Sequence, residues 1–248
     1  MILALLGALL IGLSLGLLGS GGSILTVPVL VYLLGEPPKQ AFAESLLIVG
    51  GIALLGAVPY AWRGLVDFRK VLFFGLPGMA GTYLGAWLSQ FVSAQAQLLT
   101  LALVMLLAGY LMARPGPPGG ERAARKPWKV LLDGFFVGAL TGFVGVGGGF
   151  LIVPALVLLG GLPMHRAVGT SLLIIALNAL AGFSKHLHLL PALGLSVNYP
   201  TAGLFVLVGT LGSLLGGRLG ARLPQASLRR GFALLLVALG TYLAVQSR

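Results

Sequence analysis

The chain has 248 residues, of which 58% are hydrophobic and 8% charged, with 16 Lys+Arg against 5 Asp+Glu and no cysteine. A soluble domain carries about 25% charged residues, so too little polar surface exists here to face water all round, and lipid is the implied solvent. The missing cysteine excludes disulfides, thiolate metal sites and thiol nucleophiles. The net charge of +11 lies in short loops without an aromatic–basic groove or recognition-helix pattern, which argues for positive-inside loops and against nucleic-acid binding.

Ten apolar segments follow in order, at 2–18, 22–34, 41–62, 71–91, 97–113, 130–146, 149–161, 167–189, 200–217 and 229–246. The first has the length of a signal-peptide core but no basic n-region and no polar domain after it, so it reads as a retained membrane segment. Between the fifth and sixth lies RPGPPGGERAARKPWK (114–129), rich in Pro, Gly and charge. This linker divides the chain into a first transmembrane repeat, 1–113, and a second, 130–248.

The two halves match. GSGGSILTVPVL (19–30) aligns with GVGGGFLIVPAL (145–156), and AFAESLLI (41–48) with AVGTSLLI (167–174), both at an offset of 126 residues. GTYLGAWL (81–88) aligns with GSLLGGRL (212–219) at an offset of 131. Duplication of this kind is a common transporter build. With the linker in the cytoplasm and the segments alternating outward, 13 cations fall inside and only Lys39, Lys185 and Arg248 outside. Merging the first two segments of each half leaves 10 inside and 6 outside, a poorer fit to the positive-inside rule. Both termini then face out. Five segments per half is an odd number, so the copies insert with opposite orientation. The expected fold is an all-α polytopic transmembrane bundle of two inverted-topology repeats. Each repeat is a glycine-broken hairpin, short enough to be re-entrant, followed by three spans, with eight to ten crossings in all.

The hairpin tips, Gly19-Ser20-Gly21-Gly22-Ser23 and Gly145-Val146-Gly147-Gly148-Gly149, are the first candidates for a site. Glycine clusters break helices, and broken backbone at membrane depth is tolerated only where it lines a protein-enclosed or watery cavity. Each break also starts a short helix whose free N–H groups and positive dipole end suit an anion. Two such ends entering from opposite faces would meet near the midplane. Ser20, Ser23 and Thr26 add hydroxyl donors. Gly81/Gly85 and Gly212/Gly216 are read as packing glycines.

Intramembrane polar residues come next, because they are costly in lipid and usually face a pathway. Glu44 and Ser45 begin the third segment, and Thr170 and Ser171 hold the matching places in the second half. Glu44 is either a proton carrier or a structural hydrogen-bond partner. Asn178 sits mid-span, where its amide either meets a ligand or ties two helices together. His186, grouped with Lys185 and His188 near a span end, is a candidate proton relay or an interfacial residue. Metal ligation is not expected: two histidines at i, i+2 diverge on a helix, and no carboxylate is near in sequence. No Walker A, His-Glu-x-x-His or Gly-x-Ser-x-Gly motif occurs, so no enzyme, catalytic residue or cofactor is expected.

A Gly-x-Gly-Gly-[Gly/Ser]-x-[Leu/Ile] break, a short Val-Pro helix and then Ala-x-[Gly/Ala]-x-Ser-Leu, all given twice, resembles the TauE/SafE family of sulfite and organosulfonate exporters. The resemblance covers nearly the whole chain and departs from Gly-Thr-Ser-Leu in the first half, where Ala43-Glu44-Ser45-Leu46 stands. It implies a bacterial-type plasma-membrane permease with the glycine breaks in its translocation core. The expected substrate-binding set is Ser20, Gly21, Gly22, Ser23, Ser45, Gly147, Gly148, Gly149, Thr170, Ser171 and Asn178, with Glu44 and His186 as proton-coupling candidates. The expected partners are a small anionic substrate and membrane lipid, with homo-oligomer formation left open. The expected function is secondary-type transport of a small anion, sulfite or an organosulfonate, by alternating access around a midplane site at the two glycine-rich breaks; the alternatives are an anion channel of the same fold and a non-transporting membrane assembly factor.

Overall fold

The computed structural model describes residues 2–19, 21–113, 127–144 and 149–246. All regular structure among them is helical. In the first half, α1 (Ile2–Leu18) is followed by α2 (Gly21–Pro28), which continues through a π-helical turn (Val29–Leu33). Then come α3 (Pro38–Trp62), α4 (Phe68–Phe91) and α5 (Ala94–Ala113). The second half repeats the order with α6 (Pro127–Val144), α7 (Gly149–Pro154, continuing as a π turn Ala155–Leu159), α8 (Met164–Leu189), α9 (Tyr199–Gly220) and α10 (Gln225–Gln246).

Local chemistry accounts for these boundaries. Pro38 at the first turn of α3 has no N–H to leave unpaired, and Pro37 before it holds the extended backbone (ψ 135°) that precedes a helix. Pro28 and Pro154 sit inside their short helices, and the ladder after each widens to a π turn, as expected where a proline removes a donor. Asp67 caps the start of α4 by accepting from the Lys70 amide, and Asn198 caps α9 by accepting from the Thr201 amide.

Six helices among the described residues are long and apolar enough to cross a membrane: α3, α4, α5, α8, α9 and, over Ala226–Val245, α10. The expected eight to ten crossings count further segments from the two hairpins. The 8-residue α2 and its 5-residue π turn reach about 20 Å at 1.5 Å per residue, against a hydrocarbon core of about 30 Å. Helix α1, at 17 residues, stands at the lower limit of a spanning length.

The helix pairings are reciprocal. Helix α1 lies along α9 as α6 lies along α4, and α3 packs on α9 as α8 packs on α4. The pairs α3/α8, α5/α10 and α2/α7 join like to like across the halves. The correspondence holds residue by residue. A methyl group on Gly12 would collide with the Gly209 carbonyl, and one on Gly138 with that of Gly78. Likewise Gly16 meets Ser213, and Gly142 meets Thr82. These four contacts repeat at the 126 and 131 offsets of the sequence. Gly85 meets the Ala139 carbonyl and Gly216 that of Leu13, so both are packing glycines.

Leucines such as Leu103 and Leu234, 69% and 72% exposed, point outward all round the bundle, as lipid-facing residues should. The interior holds α3 and α8, whose middle turns are buried on nearly every side.

Candidate functional site

The first hairpin turns inside the protein. Helix α1 stops at Leu18, Gly19 adopts φ 73°, and α2 begins at Gly21. Gly19 is buried, and its backbone is held at both ends: its N–H donates to Leu15 O (2.7 Å), and its carbonyl accepts from the Ser171 hydroxyl of the other half (2.9 Å). A side chain at Gly19 would be strained by that φ and would meet Val168 and Ser171. Ser171 lies seven residues into the 26-residue α8, so the break sits about 10 Å from one end of that helix. This is well short of its middle. Gly21 and Ser23 lie in the opening turn of α2, and Gly149 opens α7; α2 and α7 touch. Ser20, Gly147 and Gly148 lie outside the described residues. Gly22 is a packing position, because a Cβ there would strike the Ile11 carbonyl of α1. Thr26 donates back to Gly22 O (2.9 Å).

The remaining expected residues are spread along the bundle, with Asn178 in the middle of α8. Glu44 is fully buried; its Oε1 accepts from the Asn198 amide (2.7 Å) and from Gln40 Nε2 (3.0 Å). Thr170, its counterpart, is also fully buried and accepts from the Asp67 amide (2.9 Å). Each half thus holds the first turn of the other half's capped helix, at opposite ends. Ser45 is buried and donates to Phe42 O (2.9 Å), as Ser171 also does to Val168 O (2.8 Å). Asn178 is fully buried with neither amide atom paired among the described residues, and it faces Gly78 of α4. His186 is 3% exposed with Nε2 unpaired, whereas His188 is exposed, its Nδ1 2.7 Å from Ser184 O. The histidines diverge, and Lys185 lies over the Tyr83 ring, 5.4 Å from its centre. Glu44, Thr170, Asn178 and His186 therefore do not converge on one ligand in this conformation.

Several residues outside the expected set carry comparable weight. Glu36, in the loop between α2 and α3, brings its carboxyl against that of Glu44; burial and that neighbour push it up to about 8. As two ionised carboxylates the pair would have no donor between them, and Oε2 of each lacks a partner. One proton on Glu36 supplies it. The Lys39 ammonium is held by Ser89 O, Val92 O and Gln97 Oε1 at 2.7, 2.9 and 2.7 Å, and Gln97 Nε2 donates to Phe143 O (2.6 Å), at the end of α6. Lys39 and His186 line one cavity of about 360 Å³. The Glu36–Glu44 pairing spans eight positions across a turn, so no helical spacing advertises it.

Among the described residues no group of three or more His, Cys, Asp or Glu side chains could hold a metal ion. A buried break at Gly19, hydroxyls aimed at backbone, and six apolar helices long enough to span are the build of a multi-pass membrane transporter. The chain belongs to the sulfite exporter TauE/SafE family, whose profile matches residues 4–243. It is 35% identical to a "Probable membrane transporter protein" of Xylella fastidiosa (strain Temecula1), over 96% of this chain and 92% of that one. It is 29% identical to "Probable membrane transporter protein YunE" of Bacillus subtilis (strain 168), over 90% of this chain and 88% of that one. No solved structure matches the chain significantly.

Proposed function

We propose that this transporter exports a small oxyanion, sulfite or an organosulfonate, by alternating access between two inverted repeats in a bacterial-type plasma membrane. The linker 114–129 faces the cytoplasm and both termini face out. The protein is not an enzyme, and the chemistry asked of it is desolvation and release of an anion. One observation carries the reading: a broken, buried backbone at Gly19 held by a hydroxyl from the opposite half. Within lipid such a break is stable only where protein encloses it. It also couples the two repeats at the point where a short helix begins. The offset of the break from the middle of α8 favours a path running past α2 and α7 over a single tip-to-tip midplane site. An inside-negative potential favours anion exit by about 2.3 kcal/mol per charge per 100 mV, so export can proceed without a coupling ion. Where coupling operates, the Glu36–Glu44 pair is the proton site.

The test is sulfite flux in proteoliposomes. Saturable flux with counterflow is expected; large single-channel currents would make the protein a channel, and absence of flux for sulfite, thiosulfate, sulfate and sulfoacetate alike would remove the transport reading of these anions. Gly22→Leu is unsuited to this test, because it would break the α1–α2 contact itself.

A further inference from the structure

The two repeats differ at the end of the bundle where α3 and α9 meet. A cavity of about 80 Å³ opens there, lined by Gly56, Tyr60, Arg63, Ser213, Gly217 and Arg218. Both arginines are exposed at its rim, and among the described residues neither is in an ion pair with a carboxylate. Ser213 is 2% exposed and its hydroxyl has no partner. That hydroxyl is aimed at Gly56, where a Cβ would meet it at 2.5 Å. Tyr60 donates to Gly16 O (2.8 Å) and closes the inner wall.

The matching place at the other end shows what is particular here. At the repeat offsets, Gly56 and Ser213 correspond to Gly182 and Thr82, which are also in contact. Thr82, however, satisfies its hydroxyl on Gly78 O (2.8 Å) within its own helix. Arg63 and Arg218 correspond to Leu189 and Trp87, and Tyr60 to His186. A lysine, Lys185, stands where Pro59 does, but it lies over the Tyr83 ring. One end therefore has two free guanidinium groups and an unspent buried hydroxyl around a small cavity, and the other end has neither.

We propose that Arg63, Arg218 and Ser213 form a binding site for a small inorganic or sulfonate oxyanion at the cytoplasmic mouth, where the exported anion is first captured. Guanidinium groups present paired donors to oxyanions, and a hydroxyl without a partner gains most from one. A water needs about 10–15 Å³ by the same measure, so the cavity has room for an anion of four or five heavy atoms. The site deepens the transport reading and rests on its orientation: by the positive-inside rule Arg63 and Arg218 face the cytoplasm. Placing the arginines at one end only gives capture a direction that a symmetric pair of repeats would lack.

The experiment is binding of radiolabelled sulfite and sulfate to the whole protein in nanodiscs, with flux from each face measured in oriented vesicles. Arg63→Gln and Arg218→Gln should each weaken sulfite binding at least tenfold and raise the half-saturating concentration from the cytoplasmic face alone. Arg218→Lys should recover part of the loss, which a merely misfolded variant would not, and Arg222→Gln should stay within twofold of wild type. Ser213→Ala should weaken binding by about threefold to tenfold. Wild-type affinity in both Gln variants, with sulfite still bound and exported, overturns the capture site and leaves the transport reading standing. No binding or flux of either anion by the wild-type protein overturns both.

Discussion

The Ser171 hydroxyl holds the Gly19 carbonyl and its own helix at once. Ser171→Ala leaves that buried carbonyl without its donor, a cost of about 1–3 kcal/mol. We expect lower thermal stability and at least a tenfold loss of sulfite flux at unchanged membrane level; wild-type flux would remove this contact from the pathway. Glu36 makes a prediction about pH. Its folded pKa of about 8 stands above the ordinary 4.5 because of burial and Glu44, so the folded protein holds the extra proton between those values. Its contribution to stability is full below about 4.5 and is lost as pH rises through about 8. Glu36→Gln should flatten the fall in melting temperature across that window, and an unchanged slope would remove the pair as its source. These residues were unequally legible. Ser45 and Ser171 are visible as a repeated pair, whereas Glu36 looks like an ordinary loop acid until the fold lays it on Glu44.

Among the elements, the α1/α9 and α4/α6 pairs depend on glycine where backbones touch. Gly16→Ala drives a methyl into the Ser213 carbonyl, and overpacking of this kind costs about 1–3 kcal/mol. Gly231→Ala, with open space around it, should be neutral or slightly stabilising because alanine is the better helix former. Thermal unfolding of the two in detergent separates them; equal effects would mean that close approach is not what the glycines supply. The hairpins show where sequence pattern stops short. Apolar blocks at 2–18 and 22–34 look like two spans by hydropathy. The fold adds that Gly19, between them, is buried and held by α8.

At the scale of the whole molecule, reciprocal packing gives each half the same neighbours in exchange. The orientation prediction belongs here. In this cysteine-free chain, Leu223→Cys and a cysteine in the 114–129 linker should label only from the cytoplasmic face, and Leu193→Cys only from outside. Labelling of the linker from outside intact cells would overturn the orientation and, with it, the direction assigned to Arg63 and Arg218. The duplication was legible in the residues themselves, since Gly, Pro and Ser recur in register. The asymmetry of the two ends was not, because Arg63 and Arg218 come from opposite halves and each alone is one more positive-inside cation.

What the residues settle by themselves is the solvent, the duplication and the family. Composition alone forbids a water-covered surface, and a repeated glycine-break motif at constant offset survives any folding. Tertiary structure decided the rest. It showed six helices among the described residues long enough to span, set Gly22 against the Ile11 carbonyl, and placed Glu44 and Thr170 on the first turns of α9 and α4. The physical reason is that the Glu44–Asn198, Thr170–Asp67 and Ser171–Gly19 contacts join positions 100 or more residues apart. Helical periodicity reports a side chain's face, never its partner. The two hydrophobic units are now defined by what each supplies to the other: an amide to a buried oxygen, a hydroxyl to a broken turn.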